Sequence, residues 1–491
     1  LAFCFAYSEW KNDPGCKIRL PVQIDGTCNG LQHIAALTGD RALARAVNVL
    51  PREDGLPGDV YGEVAASARD TVGRIESLLT PRDERFRALL LRADEWLGAH
   101  GNALLERGTA KPVVMTVPYG ASRASQARYV LEKIADTIEK TALSASAEAI
   151  HKAALDGKKR TRAFVGKCAR RLFSELRRRA RGKGDSAREK LDLDRVRAFG
   201  SFVALAMVVH LRHALAREYE STKRFANWLL AVANRCEGLP LLWQTPLGLP
   251  VCQDKFARTR ANLSVSLGEH RITLGASRLE ENVSGLGQAQ ALLPNLIHSL
   301  DATHLALTIN EAAARGIRDL GSIHDCLLCH PNDAPDLAAI VRETFATLYR
   351  KEPPTGGAPA VLVGWARWMH LAARIAAVRN ASLVLGAMVE PGSWGEQWLE
   401  ATCKGEDELR RGEARHDLTV LSDIRQLPPA PQSLAKLLLE YAARVPASDK
   451  DDARPGRGVP RREKHPLPVE DPALPATAPL DEVATSEYFF S

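Results

Sequence analysis

The sequence predicts an α+β fold that is mostly helical. Stretches at 82–107, 122–155, 194–235, 285–315 and 336–390 are rich in Ala, Leu, Arg and Glu, all strong helix formers. Segments 241–251 and 261–275 alternate apolar and polar residues about a turn, the pattern of β-hairpins. Two short apolar runs, at 20–26 and 322–328, read as strands, and each carries one aspartate.

Taken in order, 1–35 reads as strand, turn and strand leading to Asp25. Residues 35–68 read as helix, interrupted at Pro51 and at the Gly55-Leu56-Pro57-Gly58 turn. The helices at 82–107, 122–155 and 194–235 follow, then the two hairpins, the helix at 285–315 and the strand holding Asp325. The region from 336 to 390 is helical. From Pro428 to about Thr485 the chain is rich in Pro, Ala and charge and reads as a flexible linker, closing on Tyr488-Phe489-Phe490-Ser491.

The composition is that of a globular protein, with 45% hydrophobic and 25% charged residues and a net charge of +7. A length of 491 residues predicts more than one domain. Positive charge is concentrated: Lys158 to Lys190 holds 14 Lys or Arg against three acids. That run suits either a phosphate backbone or a solvated loop, and the sequence does not choose between them. Nine scattered cysteines form no disulfide framework and suit a reducing, intracellular setting. The grouping of His324, Cys326, Cys329 and His330 is a weak zinc signal, since a single CxxC has no second pair. The two cysteines read instead as packing residues. No apolar run approaches the ~20 residues that span a membrane, and no signal peptide is visible.

The aspartates carry the chemistry. A charge set among apolar residues is costly unless it is paired or binds a metal. Asp25 and Asp325 are 300 residues apart in two such contexts, as a two-metal phosphoryl-transfer site needs. Between them lies the cationic segment Arg107-Gly108-Thr109-Ala110-Lys111, running on to Tyr119-Gly120. Arg107 and Lys111 are four apart and share a helical face, with Tyr119 near it, an arrangement fit for a triphosphate and its base. Pro112 is comfortable only in a first helical turn, which predicts a helix starting near Lys111 with Arg107 on its approach.

These segments resemble motifs A, B and C of the single-subunit RNA polymerases of bacteriophages and mitochondria. Motif A resembles Asp25-Gly26-Thr27-Cys28-Asn29-Gly30-Leu31-Gln32-His33; motif B, Arg107 to Lys111 and on to Tyr119-Gly120; motif C, Ile323-His324-Asp325. A fourth match runs from Pro294 through His298 to Asp301. The resemblance covers most of 1–350. It implies a right-hand polymerase fold with an antiparallel palm sheet and a helical fingers domain. It places palm and motif A at 1–106; fingers and motif B at 107–240, with a basic insertion at 157–190; and palm, hairpin and motif C at 241–350. A C-terminal helical region at 351–427, the linker at 428–485 and an aromatic foot at 486–491 complete the scheme. The N-terminal domain and thumb of the family precede motif A, so the chain is expected to be the C-terminal part of a longer protein.

The resemblance implies DNA-templated RNA synthesis from NTPs with two Mg²⁺ ions. Asp25, Asp325 and the Gly26 carbonyl are the implied metal ligands. Lys111, with Asp25 and Asp325, is catalytic, holding the β/γ phosphates or giving a proton to pyrophosphate. Arg107, Lys111, Tyr119, His298 and Gly30 are the implied NTP contacts. Related DNA polymerases carry Glu where this chain has Gly30, crowding a ribose 2′-oxygen, and continue motif C with Glu where Cys326 stands here. Both departures favour RNA, with Tyr119 and His298 reading the 2′-hydroxyl. The second hairpin carries Arg258, Arg260, Asn262 and Arg271; the corresponding hairpin of the family reads promoter bases, and Arg and Asn are donors suited to guanine and adenine edges. Implied partners are DNA template and promoter, RNA product and NTPs, with the protein a monomer off the membrane and initiation factors left open. The implied location is the bacterial cytoplasm for a phage protein or the mitochondrial matrix for an organellar one. The rival readings are a DNA polymerase of the related family and an inactive fragment that only binds nucleic acid.

Overall fold

A computed structural model describes residues 2–141, 187–350, 359–404 and 408–444, apart from 17, 19, 82, 237, 268 and 269. The basic run at 157–186 and the aromatic C-terminus lie outside the described residues.

The first element corrects the expected strand. It is a helix, α1 (Ala2–Asn12), exposed along its length. Phe3, Tyr7 and Trp10 line up at helical spacing, with Phe3 and Tyr7 stacked at 6.3 Å. A short apolar run fits strand and helix equally well by pattern alone. Strand β1 (Val22–Ile24) follows, then the fully buried α2 (Asn29–Thr38), α3 (Arg41–Ala46) and α4 (Val60–Arg69). The helix expected over 82–107 is broken. α5 (Arg87–Trp96) passes into a π turn and a 3₁₀ turn before α6 (Arg107–Thr116) begins. α7 (Arg123–Thr141), the 32-residue α8 (Ala187–Glu218) and α9 (Glu220–Arg235) complete this helical part. α8 packs on α4, α5, α6 and α7. At the centre of that packing His210 is fully buried, 2.7 Å from Asp94 of α5 and 2.8 Å from Thr71 beyond α4. A polar contact between buried groups satisfies both and fixes how the three segments meet.

Both expected hairpins form: β2 (Leu241–Gln244) with β3 (Pro250–Gln253), and a longer β4 (Phe256–Leu267) with β5 (His270–Val283). The 30-residue α10 (Gly285–Ala314) leads to β6 (Gly321–Ile323) and β7 (Cys326–Cys329). β1, β7 and β6 form one antiparallel sheet in that order, with Val22 opposite Cys329 and Ile24 opposite Leu327. Asp325 is therefore in the β6–β7 turn and not in a strand.

The C-terminal helices are α11 (Ala334–Leu348), α12 (Ala360–Ala376), α13 (Ala381–Val389), α14 (Trp394–Cys403), α15 (Glu408–Arg425) and α16 (Pro429–Arg444). The last of these corrects the expected linker. α16 buries Leu434, Ala435, Leu438 and Leu439 and packs on α12, α13, α15 and β2. The Pro and Ala content of 428–444 obscured an apolar stripe at helical spacing. Among the described residues no helix is long and apolar enough to cross a membrane.

Candidate active site

The site starts from the β1–β7 pairing. Ile24 lies opposite Leu327, so the next residue on β1, Asp25, reaches the turn that holds Asp325. Asp25 is exposed and Asp325 half-buried. Burial, then the charges of Asp25 and Asp301, push the Asp325 carboxyl above its ordinary range. The same two effects, burial and the charges of Asp25 and Asp325, push up the Cys326 thiol. His324, one residue before Asp325, takes a left-handed φ of 56° that tightens the turn.

After Asp25 the chain turns through Gly26 and Thr27. Cys28, with φ 58°, redirects it into α2. Asn48 braces the turn by donating to Thr27 Oγ1 at 3.1 Å. The Cys28 thiol is pushed up to about 11 by burial, opposed by a hydrogen bond with Tyr61. Asn29 then donates to the Asp301 carboxylate of α10 at 2.7 Å. Burial pushes the Asp301 carboxyl up, while this hydrogen bond opposes the shift.

The motif B segment corrects the sequence reading. α6 starts at Arg107, not near Lys111, and Pro112 lies inside it. Glu106 and Thr109 form a capping box at its start, and Thr109, Ala110, Val113 and Val114 are buried. The Arg107 guanidinium and the Lys111 ammonium lie 5.3 and 5.7 Å from the centre of the Tyr61 ring, within cation–π range. Arg107 also donates to both Asp59 oxygens at 3.1 Å. The helix ends at Thr116, so Tyr119 sits in the following turn and not on the helical face. Gln126 holds that turn, donating to the Val113 carbonyl and to Thr116 Oγ1 at 3.0 Å each. Arg212 donates to the Ala121 carbonyl at 3.2 Å.

Tyr119 stacks on His298 of α10, with ring centres 4.8 Å apart and planes at 22°. Burial, then the charges of Asp301 and Asp325, push its phenol well above the ordinary range. The space over Gly30 is not open, as the sequence reading expected. A Cβ there would lie 2.8 Å from Pro118 Cβ and 3.1 Å from the Tyr119 ring. Glycine at 30 admits Tyr119 against α2.

The hairpin register puts positions 258, 260, 262 and 271 on one face of the β4–β5 ribbon, since Ser266 pairs with Arg271. Arg258 and Asn262 are exposed. Just before the ribbon, Gln253 at the end of β3 donates to the Gln288 carbonyl at 2.9 Å and accepts from Asn295 at 2.8 Å, tying β3 to α10.

Thus the fold gathers Asp25, Asp325, Tyr119, His298 and Gly30 at one locus, with Lys111 and Arg107 sharing a Tyr61 platform. Sequence reasoning missed Tyr61 and gave no role to Cys28, Asn29 and Asp301, although all three lie in the matching segments. Asp301 ended the fourth matching segment, which was the available signal for it. Nothing in the local sequence of Tyr61 sets it apart from a core aromatic.

Among the described residues no three His, Cys, Asp or Glu side chains converge to enclose an ion by themselves. Two carboxylates and a carbonyl suit Mg²⁺, which commonly keeps water and takes phosphate oxygens as remaining ligands. Asp25 and Asp301 add negative charge beside the half-buried Asp325, whose carboxyl is raised first by burial and then by these neighbours.

A family model described as DNA-dependent RNA polymerase matches residues 1–355. The mitochondrial DNA-directed RNA polymerase of Mus musculus is 28% identical over 355 residues, covering 71% of this chain and 23% of that protein. DNA-directed RNA polymerase 2A of Nicotiana tabacum is 29% identical over 359 residues, 71% of this chain and 86% of that one. T7 RNA polymerase of Escherichia phage T7 is 29% identical over 369 residues, 71% of this chain and 37% of the phage protein. The chain thus spans about a quarter to a third of most of these relatives, tobacco 2A apart.

Proposed function

The chain belongs to the DNA-dependent RNA polymerase family, and from that membership we propose that it transfers nucleotidyl groups from NTPs to an RNA 3′-hydroxyl on a DNA template. The observation that carries this reading is the β1–β7 pairing, which brings Asp25 to the turn of Asp325. In this reading β1, β6 and β7 belong to a palm, and the helices from α6 to α9 to fingers.

Two Mg²⁺ ions, held by the Asp25 and Asp325 carboxylates and the Gly26 carbonyl, supply positive charge to the attacking and leaving oxygens when bound. Lys111 meets the β/γ phosphates and gives a proton toward the pyrophosphate leaving group, with Arg107 a second phosphate contact once it leaves Asp59. Tyr61 sets the height of both cations. Tyr119 lies under the incoming base, and with His298 it faces the sugar, favouring the 2′-hydroxyl of an NTP. The β4–β5 face bearing Arg258, Arg260, Asn262 and Arg271 suits guanine and adenine edges in a promoter. DNA, RNA product and NTPs are the partners, for a monomer working in a phage-infected cytoplasm or in an organelle.

Extension of a labelled RNA primer on a DNA template, with magnesium and either NTPs or dNTPs, tests this. Growth with NTPs alone is expected, and preferential growth with dNTPs would establish the DNA-polymerase alternative. Asp25→Asn and Asp325→Asn are each expected to lower extension by ~10³-fold or more, about 4 kcal/mol of lost charge stabilisation. Template binding by gel shift should be largely retained. Undiminished extension by either variant would remove that carboxylate from the site.

A further inference from the structure

Three contacts, joined by one turn of α10 and by the Asn29–Gly30 peptide, close a ring around Tyr119. Asn29, at the start of α2, donates to Asp301 of α10 at 2.7 Å. Asp301 lies one turn beyond His298 on the same helix. His298 stacks on Tyr119 at 4.8 Å. Tyr119 in turn packs at 3.1 Å from the Cβ position of Gly30, the residue after Asn29. Two walls, α2 and α10, thus hold Tyr119 between them, and one side-chain hydrogen bond at this point ties the walls together. Asn29 is buried and Asp301 half-buried, so the bond is sheltered from competing water. A hydrogen bond to a carboxylate is among the stronger ones.

We propose that the Asn29–Asp301 pair is a latch that sets the gap in which Tyr119 sits, making Asp301 a positioning residue for sugar selection. The latch rests on the reading above that Tyr119 and His298 face the incoming sugar. If the bond is lost, α2 and α10 are no longer registered at this level. The ring then has room to tilt, and a 2′-hydroxyl and a 2′-hydrogen are told apart less well. Asp301 touches no reacting atom in this scheme.

Four variants of the full chain decide the matter: Asn29→Ala, Asp301→Ala, the double variant, and Asp301→Asn, whose amide oxygen still accepts from Asn29. The readout is the ratio of extension efficiency with NTPs to that with dNTPs, since loss of folded protein lowers both equally and leaves the ratio alone. Each alanine variant is expected to lower the ratio roughly tenfold, the value of one such bond. The double variant should be no worse than either single one, and Asp301→Asn should stay within about threefold of the parent. Losses that multiply in the double variant overturn the latch. So does a ratio that stays unmoved while both rates fall, or an Asp301→Asn that behaves like Asp301→Ala. Should Asp301→Ala fail to fold, Asn29→Ala breaks the same bond from the other side. Should the parent chain extend with neither substrate while still binding template, extension is tested in a longer chain, and loss of both activities there would sink the polymerase reading by itself. The latch is then judged from thermal melts of the same variants, where additive shifts overturn it and non-additive shifts support it.

Discussion

Gly30 shows how tightly motif A and the turn after α6 meet. The missing side chain lets Pro118 and Tyr119 approach to within 2.8–3.1 Å of its Cβ position, and neither the proline ring nor the stacked tyrosine yields easily. Gly30→Ala is therefore expected to overpack the contact. The cost is about 1–3 kcal/mol of stability, with Tyr119 moved off His298. A thermal melt and an NTP extension assay check this; an unchanged melt with full activity would show that the contact gives way freely. Tyr61 teaches a related lesson. Its ring lies between Cys28 of motif A and the cations of α6, so its importance comes from its neighbours and not from its own sequence context.

Between elements, the contact of α2, α10 and α11 buries two histidines and is sensitive to pH. His33 of α2 and His304 of α10 meet edge to face, 6.3 Å apart, beside Phe345 and Tyr349. Burial pulls His304 down to about 4 and holds His33 well below its ordinary value, with His304's charge adding to the latter effect. In the unfolded chain both titrate near 6.5. Above that pH both states are neutral and the pair has no effect. As pH falls from about 6.5 toward 4 the unfolded chain takes up protons that the folded chain refuses, so stability is lost across this window. For His304 the loss approaches roughly 3 kcal/mol at its lower end. Urea unfolding of the parent and of His304→Gln at pH 7 and pH 5 tests the point. The variant should lose less stability between the two pH values, and equal losses would argue against His304 as the source.

For the molecule as a whole, the C-terminal helices are part of the core. The family match ends at 355, yet α12 and α16 pack on β2, forming a half-open pocket of about 250 Å³ lined by Trp243, Trp365, Trp368 and Leu434. A chain ending at 427, where the sequence suggested a linker, would expose this face. Compared with a chain ending at 444, it is expected to lose roughly 5 kcal/mol or more, from three buried leucines at about 1.5–3 kcal/mol each. Denaturant melts of the two chains measure the difference, and matching midpoints would show α16 to be dispensable.

Local chemistry made much of this protein legible in advance. The α+β class, both hairpins and the helix of α10 follow from periodicity and turn residues, which are properties of neighbouring positions, whereas the candidate residues from Asp25 to Asp325 were singled out by the resemblance of their motifs. Those patterns failed where the local signal was ambiguous. The aromatic run of α1 suits strand and helix alike, Pro112 argued for a later start to α6, and the prolines near 429 masked an apolar stripe. The tertiary structure alone decided which distant groups touch. Strand register brings Asp25 to the turn of Asp325, helix packing lays Arg107 and Lys111 over Tyr61, and α2 against α10 joins Asn29 to Asp301. Such contacts depend on burial and register summed over the whole chain, and no short window of sequence contains that sum.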